Sequence, residues 1–493
     1  MKKRSAYLAI DFGTSNVHAS VIDAETTRII VNTNKKYGWY YPAQNQVELH
    51  IDETWKASEW AVGEVIRQLP EDVELLAITF SYFGDSITPV DEKGEALYGM
   101  IPGFCGRSFK EVQTIGREIG ADTYAKITGN TLSTLATPSK IMWLRDNEPE
   151  VFKKAAGFYS NQQYVMRKLG LGDVQDRTMA ARKLMIDVKA NCWSAPILEL
   201  AGVTEQQLGT QIVESATVVG TIDHYGSVRL PRTLPVTIGC PDVSASLLSA
   251  GVRLENPDTI GVLMGTYEQM GYFSDTFVDG CNDFGDSLIF SCCYSSPFNN
   301  KYTVMDAFPT AGALLEWFCK NILRDPSADI GKLIADAKLD GTGSLMMLPY
   351  VENFHGAVVG MSLSTTTDEI FAAILESLAY QFVACVDYIR STRKQPFTKL
   401  HFGGGGSRTD KLLQLRADLI QAPLGRMQNI ELPSLGACML AGLGNNWYAS
   451  VEDAAAHMGN PVSYFEPIPE NETKYAERYA KYKAISADYL RRY

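Results

Sequence analysis

The sequence predicts an α/β fold of two domains, and three observations carry that prediction. The chain has 493 residues, too many for one ordinary core and enough for two domains of roughly 200–250 residues each. Residues 7–22, YLAIDFGTSNVHASVI, read as an apolar strand, a polar glycine turn and a second apolar run, which is the pattern of a β-hairpin. A strand running into Gly-Thr recurs at Met264-Gly265-Thr266. The echo predicts two related halves, residues 1–252 and 253–493, facing each other across a cleft.

The hydrophobic fraction of 45% and charged fraction of 21% are those of a soluble globular protein. A formal net charge of −12 disfavours nucleic acid and anionic membrane surfaces as partners. The basic start, Lys2-Lys3-Arg4, meets Asp11 too soon for a signal-peptide core. No run of about 18 apolar residues is found, so no transmembrane helix is expected. The nine cysteines are scattered without CxxC pairs, which argues against a disulfide framework or a zinc site. Reduced thiols in the cytoplasm are the expectation.

After the hairpin a polar stretch runs to about residue 45. Residues 53–69 read as a helix with Trp55, Trp60, Val65 and Ile66 toward one face. LLAITF at 75–80 is a buried strand leading into Ser81-Tyr82-Phe83-Gly84-Asp85-Ser86. The turn Asp91-Glu92-Lys93-Gly94 predicts a second hairpin between 87–90 and 96–101, ending near Cys105-Gly106-Arg107. Thr137-Pro138 starts a helix over 138–144, and a further helix ends at Gly202. From Val213 the chain turns β-rich; 235–239 is a buried strand, and 243–250 a helix closed by Gly251. The second half begins with a strand at 260–264 and a helix at 312–323. A long helix at 368–389, capped by Thr366 or Thr367, leads to a strand at 399–402. Helices at 410–420 and 434–442 follow, and then a charged amphipathic helix at 474–493, expected on the surface.

Asp11 closes the first strand, where a carboxylate can hold a hard cation through water. Gly13 can take a positive φ, and the turn's N–H groups can face an anion together with the hydroxyls of Thr14 and Ser15. The set suits a metal–polyphosphate. Asp11 equally suits a turn that bonds its own backbone. Asp242, standing before Val243-Ser244-Ala245, equally suits a helix N-cap. The run Gly403-Gly404-Gly405-Gly406, between a strand and a helix, suits either close approach to a phosphate-bearing ligand or a plain strand-to-helix turn.

Five motifs together are more specific than any one. Asp11-Phe12-Gly13-Thr14-Ser15-Asn16, Gly239-Cys240-Pro241-Asp242, Gly265-Thr266, the helix from Gly312 to Trp317, and the stretch from Gly403 to Asp418 resemble, in order and spacing, the motifs of the FGGY family of carbohydrate kinases. The resemblance covers nearly the whole chain. It implies an α/β architecture of two actin/hexokinase-like (ribonuclease H-like) domains with a catalytic cleft between them. It implies ATP and Mg2+, a small-molecule sugar substrate, no nucleic-acid or membrane partner, and room for a homodimer.

The same resemblance implies roles for residues. Asp242 is the general base that takes the proton of a sugar hydroxyl as it attacks the γ-phosphorus. Asp11 faces Mg2+. Gly13, Thr14, Ser15, Asn16, Gly265 and Thr266 surround the β- and γ-phosphates, and Gly312, Glu316, Gly404, Gly405 and Thr409 lie about the adenosine. Asp85, Ser86, Arg107, Tyr267 and Glu268 face the sugar, although Arg107 could simply hold its hairpin and Tyr267 could pack in a core. Within the family, Phe83-Gly84, Cys105-Gly106-Arg107 and Gly265-Thr266-Tyr267-Glu268 resemble L-fuculokinase, with rhamnulokinase further off. The Met-His-Gly of xylulokinases and the Gln-Arg-Glu of glycerol kinases are absent. An L-fuculose-like deoxyhexulose or a pentulose is therefore the expected acceptor. Two departures stand out: His18 occupies a position where many members carry Lys or Arg, and Cys240-Pro241 replaces glycine-rich or histidine-containing sequence. Two other readings remain open. One is a kinase of a non-sugar hydroxylated signal molecule. The other is a nucleotide-dependent binding protein of the actin or heat-shock-chaperone type, which would have no use for Gly239 to Asp242.

Overall fold

Two mixed sheets organise the chain in a computed structural model that describes residues 3–255, 257–265, 267–278, 290–308, 311–339, 345–349, 356–393 and 396–492. The first sheet has six strands in the spatial order Val218–Tyr225, Val228–Pro241, Val73–Tyr82, Arg4–Phe12, Asn16–Asp23 and Ile29–Lys36. Its last three form an antiparallel meander, while Arg4–Phe12, Val73–Tyr82 and Val228–Pro241 run parallel. Successive side chains of the first strand point to opposite faces, and both faces are covered. Ala6, Leu8 and Ile10 pack with Ala57, Ala61 and Val65 of helix Ile51–Gln68. Tyr7 and Ala9 belong to the core that contains Leu435 and Cys438.

The second sheet repeats the plan with seven strands: Phe290–Ser295, Tyr302–Phe308, Glu268–Ser274, Thr259–Met264, Lys399–Gly403, Leu424–Met427 and Val462–Phe465. Again an antiparallel meander leads into three parallel strands, here Thr259–Met264, Lys399–Gly403 and Leu424–Met427. The two glycine turns noticed in the sequence thus join equivalent first and second strands.

Two helices between the sheets exchange sides. Asp242–Ser249, which follows the last strand of the first sheet, packs on the second: a Cβ added at Gly261 or Gly271 would meet Leu247 at 2.6 and 3.0 Å. Leu432–Gly444, late in the chain, packs on the first sheet, where Thr79 Oγ1 donates to Ala437 O at 3.2 Å and Asn445 Nδ2 to Thr237 Oγ1 at 3.4 Å. The helices cross at Gly436, where a Cβ would lie 1.8 Å from Ala245 O. Only glycine allows that approach.

Three expectations change. The predicted second hairpin is reduced to bridges, Ile87 with Ile101 and Val90 with Ala96, and Thr88–Val90 also pairs with Gly157–Tyr159. Helix Thr367–Thr392 is in fact long and apolar enough to cross a membrane, but 83% of its apolar window is buried within the protein; a capping box of Thr366 and Glu369 closes its start. Helix Glu472–Arg492 is no simple surface helix, since Tyr475 and Tyr482 are buried and Arg478 pairs with Glu376 at 2.6 Å.

Candidate active site

Three parallel strands of the first sheet end side by side, and their ends build the site. The register sets Asp11 beside Ser81, and Cys240 beside the same Ser81. Ser81 Oγ donates to Asp11 Oδ1 at 2.6 Å. The ladder slips between Thr237 and Cys240, around Gly239 at φ +77°. A Cβ there would lie 1.9 Å from Phe80 O, so only glycine serves. This bulge re-aims the strand end and brings Asp242 near Asp11. Asp242 is not the N-cap but the first residue of its helix, Pro241 being the cap, and its Oδ1 accepts from Val243 N–H at 2.7 Å.

Burial, and next the Asp11 carboxylate, push Asp242 up to about 7, while the Val243 N–H and the Arg182 guanidinium pull the other way. Asp11 is also raised, first by burial and further by Glu431, against the pull of Ser81 and His18. A carboxylate poised near neutrality suits proton abstraction.

The turn after Asp11 is braced from behind. Gly13 N–H donates to Asn16 O at 3.0 Å, Tyr37 N–H donates to Ser15 O at 3.1 Å, and the Tyr37 hydroxyl donates to Gly13 O. Asn16 Nδ2 meets His18 Nε2 at 2.9 Å. Thr14 and Ser15 are left exposed. In the second sheet Gly265, also exposed, accepts the Gly312 N–H at 3.2 Å, which ties the second turn to the start of helix Gly312–Asn321. Glu316 lies one turn along that helix and is exposed. Thr266 lies outside the described residues.

The glycine run divides its labour. Gly404 has φ +85° and its Cβ would sit 2.6 Å from Met264 O; Cβ atoms at Gly403 and Gly406 would strike Leu432 at 2.1 Å and Met264 at 2.9 Å. At Gly405 nothing lies within 4 Å. Thr409 caps helix Asp410–Ile420 by position, its Oγ1 turned back to Gly406 O at 2.9 Å. Gly404 N–H donates to Ile430 O at 3.2 Å, and the neighbouring Glu431 is the residue whose charge Asp11 feels. The glycine run and the Asp11 turn thus border one region.

On the other side of Asp242, Asp85 holds a left-handed φ of +55° and pairs with Arg182. Asp85 Oδ1 and Ser86 Oγ are buried without a partner among the described residues. Arg182 Nη1 reaches Asn130 Oδ1 at 3.3 Å and Cys292 Sγ at 3.8 Å, and the guanidinium lies 4.8 Å over the Tyr294 ring. Burial works against the Arg182 charge, but Asp85 holds its pKa above the ordinary value. The sequence reading passed over Arg182, Asn130 and Tyr294. Arg182-Lys183 interrupting the otherwise apolar stretch 179–186 was the one signal that could have found them.

Two expected sugar contacts are corrected. Arg107 is 1% exposed and spends its donors on Glu48 at 2.9 Å, Val47 O at 3.1 Å, Tyr98 at 3.3 Å and Cys105 at 3.0 Å, stacked 4.8 Å from Trp143. It ties residues 47–48, 98, 105 and 143 to one another. Glu268 makes a two-pronged pair with Arg416 at 2.6 and 2.7 Å, both side chains nearly fully buried inside the second domain. Tyr267 is half-buried, and its carbonyl accepts the Gly265 N–H at 3.0 Å.

Among the described residues no cluster of three or more His, Cys, Asp or Glu could hold a metal. Asp11 with the Ser81 hydroxyl fits a cation that keeps most of its waters and takes its remaining ligands from phosphate, as Mg2+ does.

The sequence matches two family models, the N-terminal domain of the FGGY family of carbohydrate kinases over residues 6–249 and the C-terminal domain of that family over residues 286–444. The chain is 25% identical to a glycerol kinase of Desulforamulus reducens, with 92% of each chain covered. It is 23% identical to a xylulose kinase of Bacillus subtilis, covering 97% of this chain and 96% of the relative. Its structure superposes on that of gluconate kinase from Lactobacillus acidophilus with a TM-score of 0.85 over 99% of both chains, at 18% identity.

Proposed function

Because the chain belongs to the FGGY family of carbohydrate kinases, we propose that it transfers the γ-phosphoryl group of ATP to a hydroxyl of a ketose or related polyol, with Asp242 as the general base. An L-fuculose-like deoxyhexulose and a pentulose are the first acceptors to try. The observation that carries the reading is Asp242 itself. It is a carboxylate raised to about 7, at the end of a strand beside Asp11 and between the braced phosphate-type turn and the buried, unpaired polar atoms of Asp85 and Ser86.

Asp242 Oδ1 is held by the Val243 N–H, so Oδ2 is the atom that accepts the hydroxyl proton as the sugar oxygen bonds to phosphorus and the ADP oxygen leaves. Thr14, Ser15 and the N–H groups of the turn offer donors to phosphate oxygens, where charge spreads in the transition state. Asp11 would hold Mg2+, which neutralises phosphate charge. Gly405, with open space before it, would let adenosine lie close to the backbone. Tyr267 would border the acceptor from the second domain. The two domains would close on the sugar to exclude water as a competing acceptor. Cys105, Cys192, Cys240, Cys292, Cys319, Cys385 and Cys438 form no disulfide, which supports a cytoplasmic enzyme.

The test is a panel of ketoses, polyols and aldonates with ATP and Mg2+, read by coupled detection of ADP. Turnover of one or more hydroxylated acceptors supports the reading. ATP hydrolysis indifferent to every acceptor would sink it.

A further inference from the structure

We propose that the buried Arg182–Asp85 pair fixes the charge class of the acceptor: the site takes an uncharged polyhydroxylated molecule and rejects sugar acids. The inference rests on the kinase reading and on Asp85 and Ser86 facing the acceptor.

The relatives divide on this point, since glycerol and xylulose are neutral and gluconate carries a carboxylate. A site for a sugar acid needs a cation free to meet it. Arg182 is the charged donor nearest to Asp85 and Ser86, and its charge is already matched by Asp85. Its remaining contacts are Asn130, Cys292 and the Tyr294 ring. The other cations on this side are also committed. Lys140 Nζ donates to Thr134 O at 2.6 Å and Leu135 O at 3.1 Å. Lys183 Nζ is bound by Phe158 O, Gln163 Oε1 and Leu208 O at 2.6–3.1 Å, and Arg107 by Glu48.

Against the charges of Arg182 and Lys140 stand Asp85, Asp11 and Asp242. An acceptor carboxylate would enter a surround that is already negative, whereas hydroxyls would find Asp85 Oδ1 and Ser86 Oγ, both buried and without a hydrogen-bond partner among the described residues. A hydroxyl donates to the first and exchanges a hydrogen bond with the second. Glycine at 84 gives the pair room, since a Cβ there would lie 3.3 Å from the Arg182 side chain, a tight contact.

The experiment compares kcat/KM for neutral ketoses and polyols with that for D-gluconate and other aldonates, at saturating ATP and Mg2+. Wild type is expected to favour the best neutral acceptor by at least about 10²-fold. Asp85→Asn leaves the guanidinium unmatched, and the aldonate-to-neutral ratio is expected to rise at least about tenfold even as neutral turnover falls. Arg182→Lys keeps the wild-type ratio, and Arg182→Met lowers neutral turnover without raising the ratio. A wild type that prefers an aldonate overturns the proposal while leaving the kinase reading intact. An unchanged ratio in a folded Asp85→Asn overturns it too. If that variant does not fold, the wild-type ranking alone decides. A wild type that phosphorylates no acceptor at all defeats the kinase reading first.

Discussion

A side chain added at Gly404 and one added at Gly405 should have opposite consequences, although the two positions are adjacent. At Gly404 φ is +85° and ψ 170°, a region that essentially only glycine enters, and a Cβ would approach Met264 O to 2.6 Å. That conformation alone costs a residue with a Cβ about 1–3 kcal/mol, and the contact with a backbone atom adds to it. Gly404→Ala should therefore lose at least about 2 kcal/mol, which lowers Tm by about 4 °C or more for a domain of this size. At Gly405 the φ is ordinary and nothing lies within 4 Å of a Cβ. Gly405→Val should fold with stability unchanged to within about 0.5 kcal/mol. Its branched side chain would instead fill the space proposed for the nucleotide. Losing one backbone hydrogen bond to a charged phosphate oxygen is worth about 1.5–3 kcal/mol, or roughly tenfold to a hundredfold in the KM for ATP. The KM for the acceptor should stay within about twofold. Thermal melts and initial rates with ATP varied at fixed acceptor decide the matter. A Gly405→Val protein with wild-type KM for ATP, or one as unstable as Gly404→Ala, would refute the division of roles.

Asp242→Asn should bind ATP normally and lose about 10²–10⁴-fold in kcat; retention of a tenth of the wild-type rate would end its assignment as base. Since the base must be ionised and its pKa lies near 7, wild-type kcat/KM should fall about tenfold per pH unit below that value, and a profile flat down to pH 5 would contradict the assignment. Glu268→Gln leaves Arg416 charged and unpaired in the core, which should cost about 3–5 kcal/mol with both KM values unchanged; a selective rise in acceptor KM would return Glu268 to the sugar site. Small-angle scattering with and without acceptor and an ATP analogue should show compaction, and superimposable profiles would remove domain closure.

The sequence was most legible where local rules act alone. The first hairpin, the strand 399–402 and helix Asp410–Ile420 follow from alternation, turn residues and caps, and they appear where expected. Asp242 and Asp11 drew attention because they sit in motifs at strand ends, where one residue type at one spacing carries meaning. Arg107 and Glu268 were misplaced for the opposite reason. A charged residue in a motif reads as solvent- or ligand-facing, and nothing local announces a partner such as Glu48 or Arg416, 59 and 148 residues away respectively. Arg182 was invisible on the same grounds, since its meaning comes from Asp85, 97 residues earlier in the chain. The long helix Thr367–Thr392 shows the limit of counting apolar runs, because only the packing shows that it is a core helix.

The exchange of helices between the sheets has a consequence for how the protein is made. The strands of the first sheet are complete once residue 241 has left the ribosome, but the helix that covers one face of that sheet ends only at Gly444. About 200 further residues must be synthesised in between, which at roughly 5–20 residues per second takes on the order of 10–40 s. Throughout that interval Tyr7, Ala9 and Ala77, all fully or almost fully buried in the finished protein, await their partner. The sheet of the first half can therefore be sealed only after most of the second half exists.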